Sequence, residues 1–181
     1  MAMRIIHGVL AAALILGAAG PRGAGAAEVG FLGFVAVLPE AWEREQPANN
    51  MRQLQYRVPG DAGPAVFVVY YFGPGQGGSV AANIARWRSQ FTTADGASVT
   101  PEVWQFRAAD LPVTVASFTG RYARGIGTGP QGEALPEQRL LAAILESPRG
   151  PLIFQLHGPA ATVSQQEAGF LEALRGLRGG S

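Results

Sequence analysis

One short segment, "AVFVVYYF" at residues 65–72, constrains the fold more than any other part of the chain. Every side chain from Val66 to Phe72 is apolar or aromatic, so both faces of an extended strand would carry such groups. A strand of this kind has to be covered on both sides to keep those groups away from water. The segment therefore predicts a strand at the centre of a sheet, with other elements packed on each face.

Two segments show the periodicity of amphipathic helices. In residues 79–91 apolar side chains recur at i, i+4, i+7 and i+11, and Ser79 is placed to cap the first turn. In residues 164–178 Ser164 and Glu167 form a capping-box pattern ahead of a second apolar stripe. We expect one of these helices to lie across each face of the sheet.

The remaining apolar segments read as strands joined by short turns. They are residues 31–39, 51–58, 102–108 and 112–123, followed by two strands that flank a turn at 147–150. Residues 124–138 are rich in Gly and Pro and predict a long mobile loop. Sequential hairpins imply an antiparallel sheet, so the predicted class is α+β: a three-layer α-β-α sandwich with a central, mainly antiparallel sheet.

The first 26 residues have the order of a secretory signal peptide. Arg4 precedes or opens an apolar run, and small residues follow with an A-x-A site at 24–26. The run is shorter than the roughly 20 residues that span a bilayer. We therefore expect residues 1–26 to be removed and residues 27–181 to form a single domain, exported to the periplasm or the medium, with no membrane span after cleavage.

Two residue types are absent, and their absence excludes whole classes of chemistry. The chain has no lysine and no cysteine, which rules out Schiff-base chemistry, a P-loop lysine and thiolate metal sites. Only His157 remains after signal cleavage, too few for a His-rich zinc site. Removing Arg4 and Arg22 leaves twelve basic residues against thirteen acidic ones, which argues against nucleic acid. The sequence predicts no metal, no cofactor and no catalytic residue.

A glycine-rich stretch follows the predicted central strand. Its Gly73-x-Gly75-x-x-Gly78 spacing matches the dinucleotide-binding fingerprint, and Asp95 lies about 20 residues on. However, Pro74 removes one N–H donor, and Asp95 does not follow a second apolar strand, so no parallel βαβ unit is expected. Two interpretations stay open: a flexible corner, or an anion resting on the start of the helix.

The first predicted helix carries a polar flank at i, i+3 and i+7. These side chains could hydrogen-bond a neighbouring loop, or they could bind a ligand together with the glycines. The candidate binding residues are Gly75, Gly77, Gly78, Asn83, Arg86 and Gln90. A Ser-His-Asp arrangement of Ser164, His157 and Asp110 is not favoured, because there is no G-x-S-x-G elbow.

The segments "VAVLPEAW", "MRQLQYRVPG" and "FGPGQGGSVAANIARWRSQF" carry a resemblance to a known fold. The first resembles the entrance of Mog1/PsbP-like domains, although Ala41 stands where glycine is usual. The others resemble a set of uncharacterised exported bacterial proteins associated with that fold, through Met51-Arg52, Arg86-Trp87 and Gly158-Pro159 among other residues. The resemblance spans roughly residues 34–177 and implies an α-β-α sandwich and an accessory or binding role.

The leading functional hypothesis is an exported, non-catalytic binding or accessory protein with a protein partner in the cell envelope. Its partner surface would involve the start of the first helix and residues 124–138. The alternative is a small-ligand or anion-binding enzyme, hydrolase-like, that uses the glycine loop and the first helix. The sequence identifies neither the partner nor the oligomeric state.

Overall fold

The computed structural model describes residues 25–123 and 133–180. In chain order the elements are β1 (Ala26–Phe31), β2 (Phe34–Pro39), β3 (Glu43–Arg44), β4 (Arg52–Val58), β5 (Ala65–Tyr71), α1 (Val80–Arg88), β6 (Phe91–Thr92), β7 (Glu102–Ala108), β8 (Leu111–Tyr122), β9 (Leu135–Ser147), β10 (Gly150–Pro159), α2 (Ala160–Arg175) and β11 (Arg178–Gly179). Of the predicted signal peptide, only Gly25 and Ala26 lie within the described residues. Residues 124–132 of the predicted loop lie outside them.

The strands form one large and one small sheet. The large sheet has eight strands in the order β3-β4-β5-β10-β9-β8-β6, with β7 also paired to β8, and the small sheet has the order β1-β2-β11. All pairings between the named strands are antiparallel. The mixed α/β class and the mainly antiparallel sheet are therefore confirmed.

Strand β5 lies inside the large sheet, between β4 and β10, as the apolar segment predicts. On one face, Phe67 packs against Phe170 of α2, with ring centroids 6.1 Å apart. The other face is covered less completely, because Val66 remains 37 % exposed there. The central position is confirmed, whereas the complete covering of both faces is not.

The two helices contribute to separate apolar clusters. Along β9 the buried side chains alternate: Leu141 packs in the cluster that contains Phe170 of α2, and Leu140 in the cluster that contains Trp87 of α1. Successive strand residues point to opposite faces, so α1 and α2 pack on opposite sides of the sheet. The small sheet joins α2 on its side. The predicted three-layer sandwich is therefore not confirmed, because a second, small sheet lies on the α2 side.

The N-terminal apolar segment differs from its prediction. Residues 31–39 do not form one strand, because β1 and β2 form a hairpin in which Phe31 pairs with Phe34. Leu32 and Gly33 make the turn with φ of +48° and +77°. This is the left-handed region that two-residue hairpin turns require. Leu32, at the first turn position, is apolar and gives no turn signal in the sequence.

The caps of the two helices have opposite outcomes. Ser79 caps α1 as predicted, since its hydroxyl accepts a hydrogen bond from the Ala82 N–H. The capping-box prediction for α2 is wrong, because the helix begins at Ala160 and has no side-chain cap. Ser164 and Glu167 lie inside the helix and both accept hydrogen bonds from Arg139 Nη1.

The predicted loop at residues 124–138 is wrong at its C-terminal end. Residues 135–138 belong to β9, where Leu135 pairs with Tyr122 and Gln138 pairs with Gly120. Backbone pairing with β8 overrides the weak strand signal of "LPEQ". Neither α1 nor α2 is long and apolar enough to cross a membrane, and the described residues contain no other helix.

Candidate functional site

Helix α1 leaves part of its sheet face uncovered, and a cavity of about 590 Å³ lies there. Side chains from β4, β5, β10 and α1 line it, and we call it the sheet-face cavity. Its volume falls in the range of sites that hold small organic molecules. The residues of β5 that α1 does not cover therefore lie in a concave site rather than on a flat, open surface.

The floor of the cavity is apolar and aromatic. Val66, Val68, Tyr70 and Phe72 line it with alternate spacing along β5 and the residue after it. The rings of Tyr70 and Phe72 are nearly parallel, at 8°, with centroids 6.0 Å apart. Stacked rings of this kind form part of the apolar surface at the floor of the cavity.

Two arginines line the cavity from different elements, Arg52 from β4 and Arg86 from α1. No carboxylate lines the cavity among the residues that the structure describes, and the chain's Asp and Glu residues all lie in those ranges. Neither guanidinium has a carboxylate oxygen within 4 Å among these residues. Among the described residues, the lining therefore carries two arginine charges and no carboxylate charge.

Two contacts fix the position of Arg52, a hydrogen bond to Gln55 and a cation–π contact with Tyr70. Its Nη1 donates to Gln55 Oε1 at 2.6 Å, and Gln55 Nε2 donates to Glu45 Oε2 at 2.9 Å. Its Cζ lies 5.6 Å from the centroid of the Tyr70 ring. Its Nε is buried and has no hydrogen-bond partner in the described part of the chain. These contacts fix the orientation of Arg52 and use only part of its five N–H donors.

A β-bulge determines which face of β4 carries Arg52. Arg52 pairs with Tyr70 and Gln55 pairs with Val68, with a register shift between Arg52 and Leu54. Regular alternation would place residues 52 and 55 on opposite faces. The extra residue in the bulge brings both onto the cavity side.

Arg86 is oriented by Asn83, one turn earlier in α1. Arg86 Nη2 donates to Asn83 Oδ1 at 2.6 Å. Asn83 Nδ2 in turn donates to the carbonyl oxygens of Gly77 at 2.7 Å and Ser79 at 3.0 Å. Asn83 is only 3 % exposed, so it acts as a buried link between the glycine loop and Arg86.

The glycine loop makes a corner between β5 and α1. Gly77 and Gly78 have φ of +91° and +74°, which favour glycine. A second cavity of about 420 Å³ lies at the start of α1, and Glu146 lines it together with Gly78 and Ser79. A carboxylate in the lining of this cavity disfavours a bound anion there by like-charge repulsion. This arrangement supports the interpretation of the loop as a corner.

The acidic residue of the proposed nucleotide fingerprint is engaged in a local turn. The Thr93 hydroxyl donates to the Asp95 carboxylate, and this bond, with help from the Ala97 N–H, holds the pKa of that carboxyl below its ordinary value. Strand β6 pairs antiparallel with β8. A dinucleotide fold needs a parallel βαβ unit at this point. The exclusion of a dinucleotide cradle is consistent with this topology.

The sequence-derived candidates divide between the cavity and its support. Arg86 and Gln90 line the cavity, Asn83 lies buried behind Arg86, and Gly75, Gly77 and Gly78 lie in the loop. Whether any of them binds a ligand stays a prediction. In the described ranges no cluster of three or more His, Asp or Glu could hold a metal ion.

Residues that sequence reasoning did not select complete the lining. Arg52, Gln55 and His157 belong to it, and the His157 ring lies 4.2 Å from that of Tyr122 between centroids. The polar face of residues 51–58 was the available signal for Gln55. No signal in the sequence placed Arg52 or His157 near Arg86, because their elements are far apart along the chain.

Comparison with known proteins supports the fold and leaves the function open. No protein-family model matches the sequence, and no curated protein matches it either. The solution structure of cyanobacterial PsbP (CyanoP) from Synechocystis sp. PCC 6803 is similar, with a TM-score of 0.53 at 12 % identity, over 91 % of this chain and 98 % of that one. This likeness supports the expected PsbP-like fold, and a shared fold does not establish a shared function.

A second solved structure, a protein of unknown function from Pseudomonas aeruginosa, is more distant. It has a TM-score of 0.47 at 17 % identity, over 83 % of this chain and 94 % of that one.

Proposed function

We propose that this chain is an exported, non-catalytic binding protein that holds a small organic molecule in the sheet-face cavity. The observation that carries the proposal is the 590 Å³ cavity on the part of the sheet that α1 leaves uncovered. Cavities of this size that combine an apolar surface with polar groups are typical ligand sites, and this lining combines the two. The three-layer α-β-α arrangement is part of the same proposal, because the cavity forms where α1 leaves the sheet layer uncovered.

The composition of the lining supports binding rather than catalysis. Among the described residues that line the cavity there is no Asp, Glu, Ser, Thr or Cys. A hydrolase needs a nucleophile or a general base oriented by a third group. The lining formed by these residues therefore offers His157 no Ser, Thr or Cys to activate as a nucleophile. The hydrolase-like alternative also needs Asn83, which already bonds two backbone carbonyls.

A bulky side chain at the floor of the cavity tests the proposal. Val66→Trp should weaken binding of the neutral fluorescent probe N-phenyl-1-naphthylamine by about tenfold or more, equivalent to about 1.4 kcal/mol. The indole would occupy space that the probe needs, and Trp is well tolerated in strands. Fluorescence titration of the full chain measures the two dissociation constants.

The matched control is Val103→Trp. Val103 is also an exposed strand valine, 49 % exposed on β7, but it does not line the cavity. This variant should bind the probe like the parent. Equal binding by both variants would show that the probe lies elsewhere. Failure of the parent to bind this probe or an anionic analogue below about 1 mM would also remove the proposal.

Export forms a separate part of the proposal and has its own test. When the full chain is expressed in a Gram-negative host, the protein recovered from the periplasm or medium should have lost residues 1–26 or 1–27, as seen in its intact mass. Changing Ala24 and Ala26 together to Asp should prevent this cleavage, because the A-x-A site requires small residues. Recovery of the uncleaved parent from the cytosol would contradict export. The envelope protein partner stays a prediction.

A further inference from the structure

We infer that the ligand of the sheet-face cavity is an organic anion, with an oxyanion group such as a carboxylate on an apolar or aromatic body. This inference rests on the proposed function and gives its ligand a chemical class. Arg52 and Arg86 would hold the oxyanion, and the apolar floor of β5 would hold the body of the ligand.

The lack of a carboxylate partner for the two arginines supports the first part of the inference, that the ligand carries an oxyanion group. Arg57, Arg139 and Arg178 each have a carboxylate partner within 3.1 Å, whereas Arg52 and Arg86 have none among the described residues. Other described arginines also lack a carboxylate partner, but Arg52 and Arg86 are the two whose side chains line this cavity. Guanidinium groups bind carboxylates and phosphates with two parallel hydrogen bonds. A ligand oxyanion would complete the charge pairing that the protein leaves open.

The hydrogen bonds of these side chains point the same way. Arg52 Nη1 bonds an amide oxygen of Gln55, and Arg86 Nη2 bonds an amide oxygen of Asn83. A guanidinium has five N–H donors, so each bond fixes orientation and leaves most donors unused. The buried Nε of Arg52 has no partner in the described part of the chain. Because this Nε is buried, an oxyanion in the cavity would bond the remaining Nη donors of the two arginines rather than Nε.

The apolar surface of the cavity carries the second half. Four large apolar side chains are exposed among the described residues, and two of them, Met51 at 46 % and Val66 at 37 %, line this cavity. They continue the surface formed by Tyr70 and Phe72. A simple inorganic anion would leave this apolar surface in water. An anion with an apolar body would cover it and gain the free energy of burial.

Two fluorescent probes that differ by one charged group test the class of ligand. The anion 8-anilinonaphthalene-1-sulfonate carries a sulfonate that N-phenyl-1-naphthylamine lacks. The full chain should bind the anion at least about tenfold more tightly, as expected for a charge-assisted hydrogen bond. In the double variant Arg52→Gln/Arg86→Gln this preference should fall to about onefold, because the amides keep polarity but lose both charges.

Two further variants separate charge recognition from folding. Arg88→Gln removes an exposed arginine of α1 that does not line the cavity, and it should keep the preference of the parent. Arg52→Lys/Arg86→Lys keeps both charges and should retain part of the preference. Thermal unfolding of each variant establishes that the fold is intact.

The outcomes distinguish this inference from the proposed function. If both probes bind equally and Val66→Trp weakens both, the cavity binds ligands but the anion inference is wrong. If the preference persists in the double glutamine variant, the sulfonate is recognised elsewhere and the inference is again wrong. If neither probe binds, both the inference and the proposed function fail.

Discussion

Replacing Gly158 with alanine should lower the free energy of unfolding by about 2–3 kcal/mol, the cost of overpacking a tightly packed position. Gly158 lies in β10 beside the start of β5. A methyl group there would lie 2.7 Å from Ala65 Cα and 2.8 Å from Ala65 Cβ. These atoms belong to or adjoin the backbone, so they cannot swing aside as a flexible side chain would.

The control for this variant is a second strand glycine with room around it. An alanine methyl at Gly30, in β1, would have its nearest neighbour at 3.9 Å. Gly30→Ala should change stability by no more than about 0.5 kcal/mol. Urea unfolding of both variants measures the difference. If Gly158→Ala is as stable as Gly30→Ala, β5 and β10 do not approach as described, and the floor of the cavity would need revision.

Asn83→Leu should lower the free energy of unfolding by about 2 kcal/mol, within the range for losing a buried hydrogen-bond partner. Leucine has a similar shape but cannot donate to the Gly77 and Ser79 carbonyls or accept from Arg86. The glycine loop would lose its anchor to α1. We also expect weaker binding of the anionic probe, because Arg86 would no longer be held towards the cavity.

Gln76→Leu is the matched control in the same loop. Its side chain is exposed, so the substitution should leave the stability within about 0.5 kcal/mol of the parent. Chemical denaturation followed by circular dichroism measures both changes. A loss below about 0.5 kcal/mol for Asn83→Leu would show that the loop is held by other contacts. Asn83 would then return to the candidate ligand-binding residues.

Much of the secondary structure follows from residues that are close along the chain. The apolar run at 65–72 predicts a central strand, and β5 lies between β4 and β10. The turn at Ser147–Gly150 predicts a hairpin, and β9 pairs with β10 around it. Ser79 caps α1. Each of these features depends on alternation, turn residues or a cap, which act over a few residues.

Local patterns mislead where a distant partner competes for the same groups. Ser164 and Glu167 have the spacing of a capping box, yet both bond Arg139 of β9. The pattern cannot show that the helix already begins at Ala160, upstream of Ser164. Nor can it show that Arg139, 25 residues before Ser164, lies within hydrogen-bonding distance. The same limitation applies to Asp110 and His157, since the first stays in the β7–β8 turn and the second lines the cavity.

By itself the sequence determined the chemistry that is excluded, the central strand, and the polar flank of α1 that includes Arg86. These properties reside in residue type and short-range periodicity. Only the tertiary structure decided that Arg52 and Arg86 line one cavity. The bulge in β4 turns Arg52 to that face, and α1 crosses the sheet without covering β5. Both depend on contacts between residues far apart in sequence, which no local pattern encodes.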